Sequence, residues 1–110
     1  MFNEDSSIDI LFKKSTNYIL CIGGELGYAR YKNLKKLEEK GLLPLNLISQ
    51  YALLDKLDLI GDGIQVMPGA IVHKFSRISE QCILNINSTA NHECIVDKGV
   101  NIMGGASIAG

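Results

Sequence analysis

"IGDGIQVMPGAIVHKFSRISEQCILNINSTA" (residues 60–90) decides the fold. Every sixth residue in it is apolar: Ile60, Val66, Val72, Ile78, Leu84 and Ala90. Counting outward in the same frame adds Leu54 before it and Val96, Ile102 and Ile108 after it. A second column lies four residues later in each hexad and is mostly small: Ile64, Ala70, Ser76, Cys82, Ser88, Cys94, Val100 and Ala106. Neither the 3.6-residue period of a helix nor simple alternation generates a period of six. An internal repeat does.

A hexad with an aliphatic residue at one position and a small one four later is the signature of a hexapeptide β-helix. Each hexad supplies one short strand and a turn, and three hexads make one triangular coil of about eighteen residues. Coils stack at the strand spacing of roughly 4.8 Å, so like residues lie over like. The aliphatic residue points inward, and burying it contributes roughly 1.5–3 kcal/mol as an upper-end figure. The rival reading, a chance run in an all-β sandwich, has to keep the frame from Leu54 to Ile108 without a gap. Cys82 and Cys94 then occupy interior small-residue positions and read as packing thiols. They fall on different faces of the prism, which argues against a bond between them. With Cys21 the cysteines are odd in number and lack CxxC spacing, so free thiols are expected rather than a disulfide frame or a zinc site.

Residues 1–50 differ from residues 51–110, the expected β-helix. "NYILCIG" (residues 17–23) is a compact apolar run closed by glycine and reads as a buried strand. In "GYARYKNLKKLEEKG" (residues 27–41), Arg30, Leu34 and Leu37, with Leu26 just before, fall near helical spacing, and Gly41 fits a helix stop. "LLPLNLI" (residues 42–48) reads as a further strand, with Pro44 confining it to an edge or a strand start. Strand, helix and strand suggest one partial α/β (βαβ) segment, which by itself cannot cover both faces of a parallel sheet.

Hydrophobic residues make up 46% of the 110-residue chain, too many for a disordered polymer. The formal net charge of −1 does not suggest a phosphate-binding basic surface. Lys32, Lys35, Lys36 and Lys40 are interleaved with Glu38 and Glu39, a solvated helix face rather than a nucleic-acid patch. No apolar run approaches the ~20 residues of a membrane span. The acidic start "MFNEDSSIDILF" (residues 1–12) lacks the features of a signal peptide, so a cytoplasmic protein is expected.

His92, followed by Glu93, is the most chemically suggestive step. A neutral imidazole near pH 7 is suited to accept a proton, and a carboxylate beside it can fix its tautomer. The plainer reading is an exposed or interface histidine on a repeat face. Neighbours in a strand point to opposite sides, so the two side chains meet only if a corner of the prism lies there. A metal centre needs about three protein ligands. His73 and His92 are the only histidines, so no metal is expected, and His73 reads as surface or rim.

The strand ending in "IG", the arginine-bearing helix, the following strand, and hexads carrying "IGDG", "VMPGA", "INSTANHEC" and "GVNIMGGASIAG" together resemble a known family. They are similar to the sialic-acid-type sugar O-acyltransferases and their relatives, the nucleotide-amino-sugar N-acetyltransferases. The resemblance covers roughly residues 17–110. It implies a left-handed parallel β-helix behind a small nucleotide-sugar-binding segment. It also implies acetyl-CoA as co-substrate, a nucleotide-linked sugar as acceptor, and a homotrimer with sites between prisms. His92 matches the family's general base and Glu93 its acidic neighbour. Asn101 stands where relatives carry a cofactor-side histidine. Gly105 and Gly110 fall in the stretch near the thioester, and Gly23 matches a position near the sugar nucleotide.

The departures shape a second expectation. Relatives begin with a glycine-rich nucleotide-binding turn, whereas "MFNEDSSIDILFKKST" (residues 1–16) contains no glycine. Where relatives have a His-Pro or similar step, this chain has "ISQYA" (residues 48–52). Relatives also continue for several more coils. The sequence therefore resembles a partial chain. The alternative to an acyltransferase is a catalytically incomplete remnant or assembly piece of one, without full cofactor and nucleotide sites.

Overall fold

A computed structural model of the protein describes residues 17–18 and 27–110. These residues are mainly β, with short parallel strands stacked into a β-solenoid of about three turns and one helix beside it. Every strand is two residues long, and each solenoid strand pairs in parallel with the one eighteen residues further on. One face of the prism stacks Leu47–Ile48, Gln65–Val66, Ile83–Leu84 and Asn101–Ile102. The next stacks Leu53–Leu54, Ile71–Val72, Thr89–Ala90 and Ser107–Ile108. The third stacks Leu59–Ile60, Arg77–Ile78 and Ile95–Val96.

The second residue of each strand is the aliphatic position of the hexad, and it points inward. Val66, Val72, Ile78, Leu84, Ala90, Val96 and Ile102 form one buried cluster with the small-column residues Ile64, Ala70, Cys82 and Cys94. Cys82 and Cys94 are unbonded and buried, as the repeat requires. Burial raises the Cys82 thiol above its ordinary pKa. The sequence misses one inner rung. Ile48, six residues before Leu54, stacks on Val66, so the solenoid begins at Leu47 rather than at residue 51. "LLPLNLI" is accordingly split: Leu43–Pro44 pairs elsewhere, and Leu47–Ile48 opens the first coil.

The corners explain why six residues suffice for a strand and a turn. Positions 63, 69, 75, 81, 87, 93, 99 and 105 all have φ between 55° and 77°, one per hexad. Four are glycine, and the others are Phe75, Gln81, Asn87 and Glu93. A positive φ at the third residue is what a tight type II turn demands. Most of these corners also tie themselves to the coil below. The amides of Gln81, Gly99, Asn87, Gly105, Phe75 and Glu93 donate to the carbonyls of Asp62, Glu80, Pro68, Ile86, Lys56 and Lys74 at 2.7–3.2 Å.

Helix α1 (Gly27–Glu39) ends as the sequence predicts. Gly41 takes φ 81°, its amide donates to Glu38 O at 2.9 Å, and the Leu42 amide donates to Leu37 O at 3.1 Å. That is a Schellman motif. The helix docks on the corner formed by Gln81 and Gly99 through a buried arginine. Arg30 Nε and Nη2 donate to Gln81 O at 3.0 and 2.8 Å, and Nη2 also reaches Gly99 O at 3.1 Å and Asn101 Oδ1 at 2.5 Å. Burial lowers the pKa of this guanidinium from its ordinary value. Lys35 adds an exposed ion pair to Glu80 at 3.8 Å, and the Lys98 ammonium lies 5.5 Å from the Tyr31 ring centre.

Gly27 and Gly99 allow the close approach. A Cβ on Gly27 would stand 1.8 Å from Gly99 O, and one on Gly99 would stand 2.5 Å from Gly27 O. Replacing a helical glycine with alanine ordinarily stabilises by about 1 kcal/mol. Here the sign reverses, with Gly27→Ala expected to destabilise by about 1–3 kcal/mol through overpacking. Thermal unfolding measures it, and a raised midpoint would refute the contact.

The α/β segment is less than the sequence expects. Only Asn17–Tyr18 of the run at residues 17–23 is described, and it pairs in parallel with Leu43–Pro44. Among the described residues this segment amounts to one helix and one two-residue pair, not a sheet domain. Tyr18 sits where burial, then Glu38, Asp62 and Glu80, push its phenol up to about 12.

Candidate functional site

His92 and Glu93 are the two central residues of the corner between the Thr89–Ala90 and Ile95–Val96 strands. That placement answers the question of adjacency. Along a strand their side chains diverge, but at this corner Glu93 turns back with φ 59°. His92 Nδ1 then lies 3.1 Å from Glu93 Oε1. With the ring proton on Nδ1, the imidazole donates to the carboxylate and leaves the Nε2 lone pair free to accept. Both side chains are about two-thirds exposed, 66% and 68%. Solvent screens a pair so placed, so it adds little to stability.

The turn is held from both neighbouring coils. From above, Ile108 O accepts the Asn91 backbone amide and the Asn91 Nδ2 group, each at 2.9 Å. From below, Lys74 O accepts the Glu93 amide at 2.9 Å. The remaining support is a buried hydroxyl. Ser76 Oγ donates to Asn91 O at 3.0 Å and accepts from the Cys94 amide at 3.0 Å. Ser76 is fully buried.

Corners on another edge of the prism close directly. The fourth residue's amide donates directly to the first residue's carbonyl in the turns at residues 67–70, 85–88 and 103–106, at 3.1–3.2 Å. Sequence reading places Ser76 in the small column and misses its polar role. The coil register carries the signal, because Ser76 lies eighteen residues before Cys94 and so directly beneath it.

Gly110 and His92 come together. A Cβ at residue 110 would fall 2.5 Å from His92 O, 3.1 Å from Cε1 and 3.2 Å from Nδ1. A side chain there would press on the His92 carbonyl and crowd the ring. Asn101 is placed elsewhere: it opens the strand that follows the next corner, and its side-chain oxygen accepts from Arg30. Gly105 lies one corner further on, with φ 75° and open space beside it. His73 is half-buried in the coil beneath Asn91, and its amide donates to Ala90 O at 3.0 Å. Gly23 lies outside the described residues.

Among the described residues, no group of three or more histidine, cysteine or acidic side chains is arranged to hold a metal ion. No helix among them is long and apolar enough to cross a membrane. No protein-family model matches this chain. No solved structure matches it at a significant level.

Proposed function

We propose that this chain carries the general-base element of an acetyl-CoA-dependent acyltransferase built on a left-handed hexapeptide β-helix. The acceptor is an amino or hydroxyl group of a sugar, nucleotide-linked by the resemblance of "INSTANHEC" and "GVNIMGGASIAG" to that family. One observation supports this most. A histidine and a carboxylate, neighbours in sequence, meet at a solenoid corner with the imidazole about two-thirds exposed and Gly110 beside it.

The chemistry follows from that geometry. The acceptor nitrogen or oxygen attacks the thioester carbonyl carbon as His92 Nε2 takes its proton. Glu93 holds the Nδ1 proton and stabilises the imidazolium that forms. Collapse of the tetrahedral adduct breaks the C–S bond, and the imidazolium returns the proton to the departing thiolate of coenzyme A. No covalent enzyme intermediate is required.

In this proposal the site is completed between copies in a homotrimer, with Gly110, which lies against His92, on the cofactor side. Asn101, held by Arg30 past the next corner, would join that side only from another copy. The exposure of His92 and Glu93 in the single chain fits a site that needs a second wall. It equally favours the alternative, an assembly piece that retains the pair without a complete groove.

One experiment separates them. The protein is incubated with acetyl-CoA and a panel of nucleotide-linked amino and hydroxy sugars, and released coenzyme A thiol is followed. Acceptor-dependent release supports the enzyme. No release, together with no coenzyme A binding by titration calorimetry at millimolar ligand, would leave only the assembly reading.

A further inference from the structure

We infer that Ser76, one coil beneath the site, is the positioning residue for His92. The inference rests on the acyltransferase reading for its catalytic consequence but not for its structural one. In the turn at residues 91–94, the carbonyl of the first residue and the amide of the fourth are joined through the Ser76 hydroxyl. The peptide units that carry His92 and Glu93 are therefore set by a side chain from the preceding coil. The hydroxyl is fully buried, so water does not compete for either bond.

Removing it leaves Asn91 O and the Cys94 amide two ways to recover. The turn tightens until they meet directly, as in the turns at residues 85–88 and 103–106, or they stay unpaired. The first course rotates the backbone beneath His92 and Glu93 and breaks the 3.1 Å contact between Nδ1 and Oε1. The second leaves the turn without its tie and weakens the same contact. The imidazole then loses its preference for the Nδ1-protonated tautomer, since the partner of one ring nitrogen fixes which nitrogen carries the proton.

Ser88 provides a matched control. It is as buried as Ser76 and occupies the same place in its hexad. Its hydroxyl donates to Asn85 O at 2.8 Å, but its own amide already closes that turn at 3.1 Å. Ser88→Ala therefore deletes a buried hydroxyl without opening a turn. Alanine is native to this hexad position at Ala70 and Ala106, and cysteine at Cys82 and Cys94, so both replacements suit the coil.

The test is ring nitrogen NMR on the histidines, with the His92 signals assigned by their loss in His92→Ala. The Nδ1-protonated form is expected to dominate in the wild type and in Ser88→Ala, and to give way in Ser76→Ala. Ser76→Cys replaces the hydroxyl with a weak donor and acceptor and is expected to behave like Ser76→Ala. In turnover, Ser76→Ala is expected to lower kcat about ten- to a hundredfold, the scale of a misplaced catalytic group. KM is expected to stay near the wild-type value. An unchanged His92 tautomer in folded Ser76→Ala or Ser76→Cys would overturn the proposal. So would a tautomer lost equally in Ser88→Ala. If the wild type shows no acetyl transfer, the acyltransferase reading fails alone, because the tautomer comparison still decides the role of Ser76.

Discussion

Leu84→Ala is expected to destabilise the protein by about 2–5 kcal/mol, the range for deleting most of a buried leucine side chain from a packed core. Leu84 is 1% exposed and stands in the middle of an inner column, with Val66 below and Ile102 above. A cavity there has a coil on either side, and neither can close it without breaking register with the next. Ile95 provides the contrast. It is the first residue of its strand, points outward and is 78% exposed. Ile95→Ala is expected to change stability by less than about 0.5 kcal/mol. Urea unfolding of both variants measures the difference. Equal midpoints would refute the assignment of inner and outer positions on which the prism rests. In a stacked array each coil contacts only its neighbours, so the loss should also appear as faster amide exchange in the adjoining coils.

The solenoid was legible because its order is written in one dimension. A period of six fixes the strand, the turn and the direction of every inner residue, and a stack of three hexads fixes which residues lie over one another. Val66, Leu84 and Ile102 share a column for that reason alone. Ile48 was missed because "LLPLNLI" reads as one strand confined by Pro44, although the same frame of six reaches it. Helix α1 and its stop at Gly41 were also legible, since a φ of 81° is a position for which glycine is the natural residue.

The docking of α1 was not legible. Nothing local in "GYARYKN" says that Arg30 will place its guanidinium on the carbonyls of Gln81 and Gly99, more than fifty residues away in sequence. The site was half legible. His92 and Glu93 could be named from their chemistry, but whether they meet depends on Glu93 taking a positive φ, which glutamate does not advertise. Ser76 was hidden because a small residue at an inner position reads as packing whether or not its hydroxyl has work to do.

The positive φ at Glu93 leads to the second large effect, in which stability and activity move in opposite directions. His92→Ala is expected to lower kcat by about 10²–10⁴-fold, the usual contribution of a general base. Coenzyme A affinity should change little. Glu93→Gly removes the carboxylate and also relieves the backbone. A non-glycine residue in the left-handed region costs roughly 1–2 kcal/mol, and glycine returns part of that through its greater freedom in the unfolded chain. Glu93→Gly is therefore expected to raise the unfolding midpoint by the equivalent of about 0.5–1 kcal/mol, while kcat falls at least about tenfold as the imidazole loses its partner. Asn87→Gly is the matched change at another corner, where φ is 55°. It should stabilise less, because asparagine tolerates this conformation, and it should leave turnover unchanged. Four of the eight corners of this kind use glycine. If Glu93→Gly gains stability at no catalytic expense, Glu93 has no role in the reaction, and the histidine beside it loses the partner on which its assignment as the base depends.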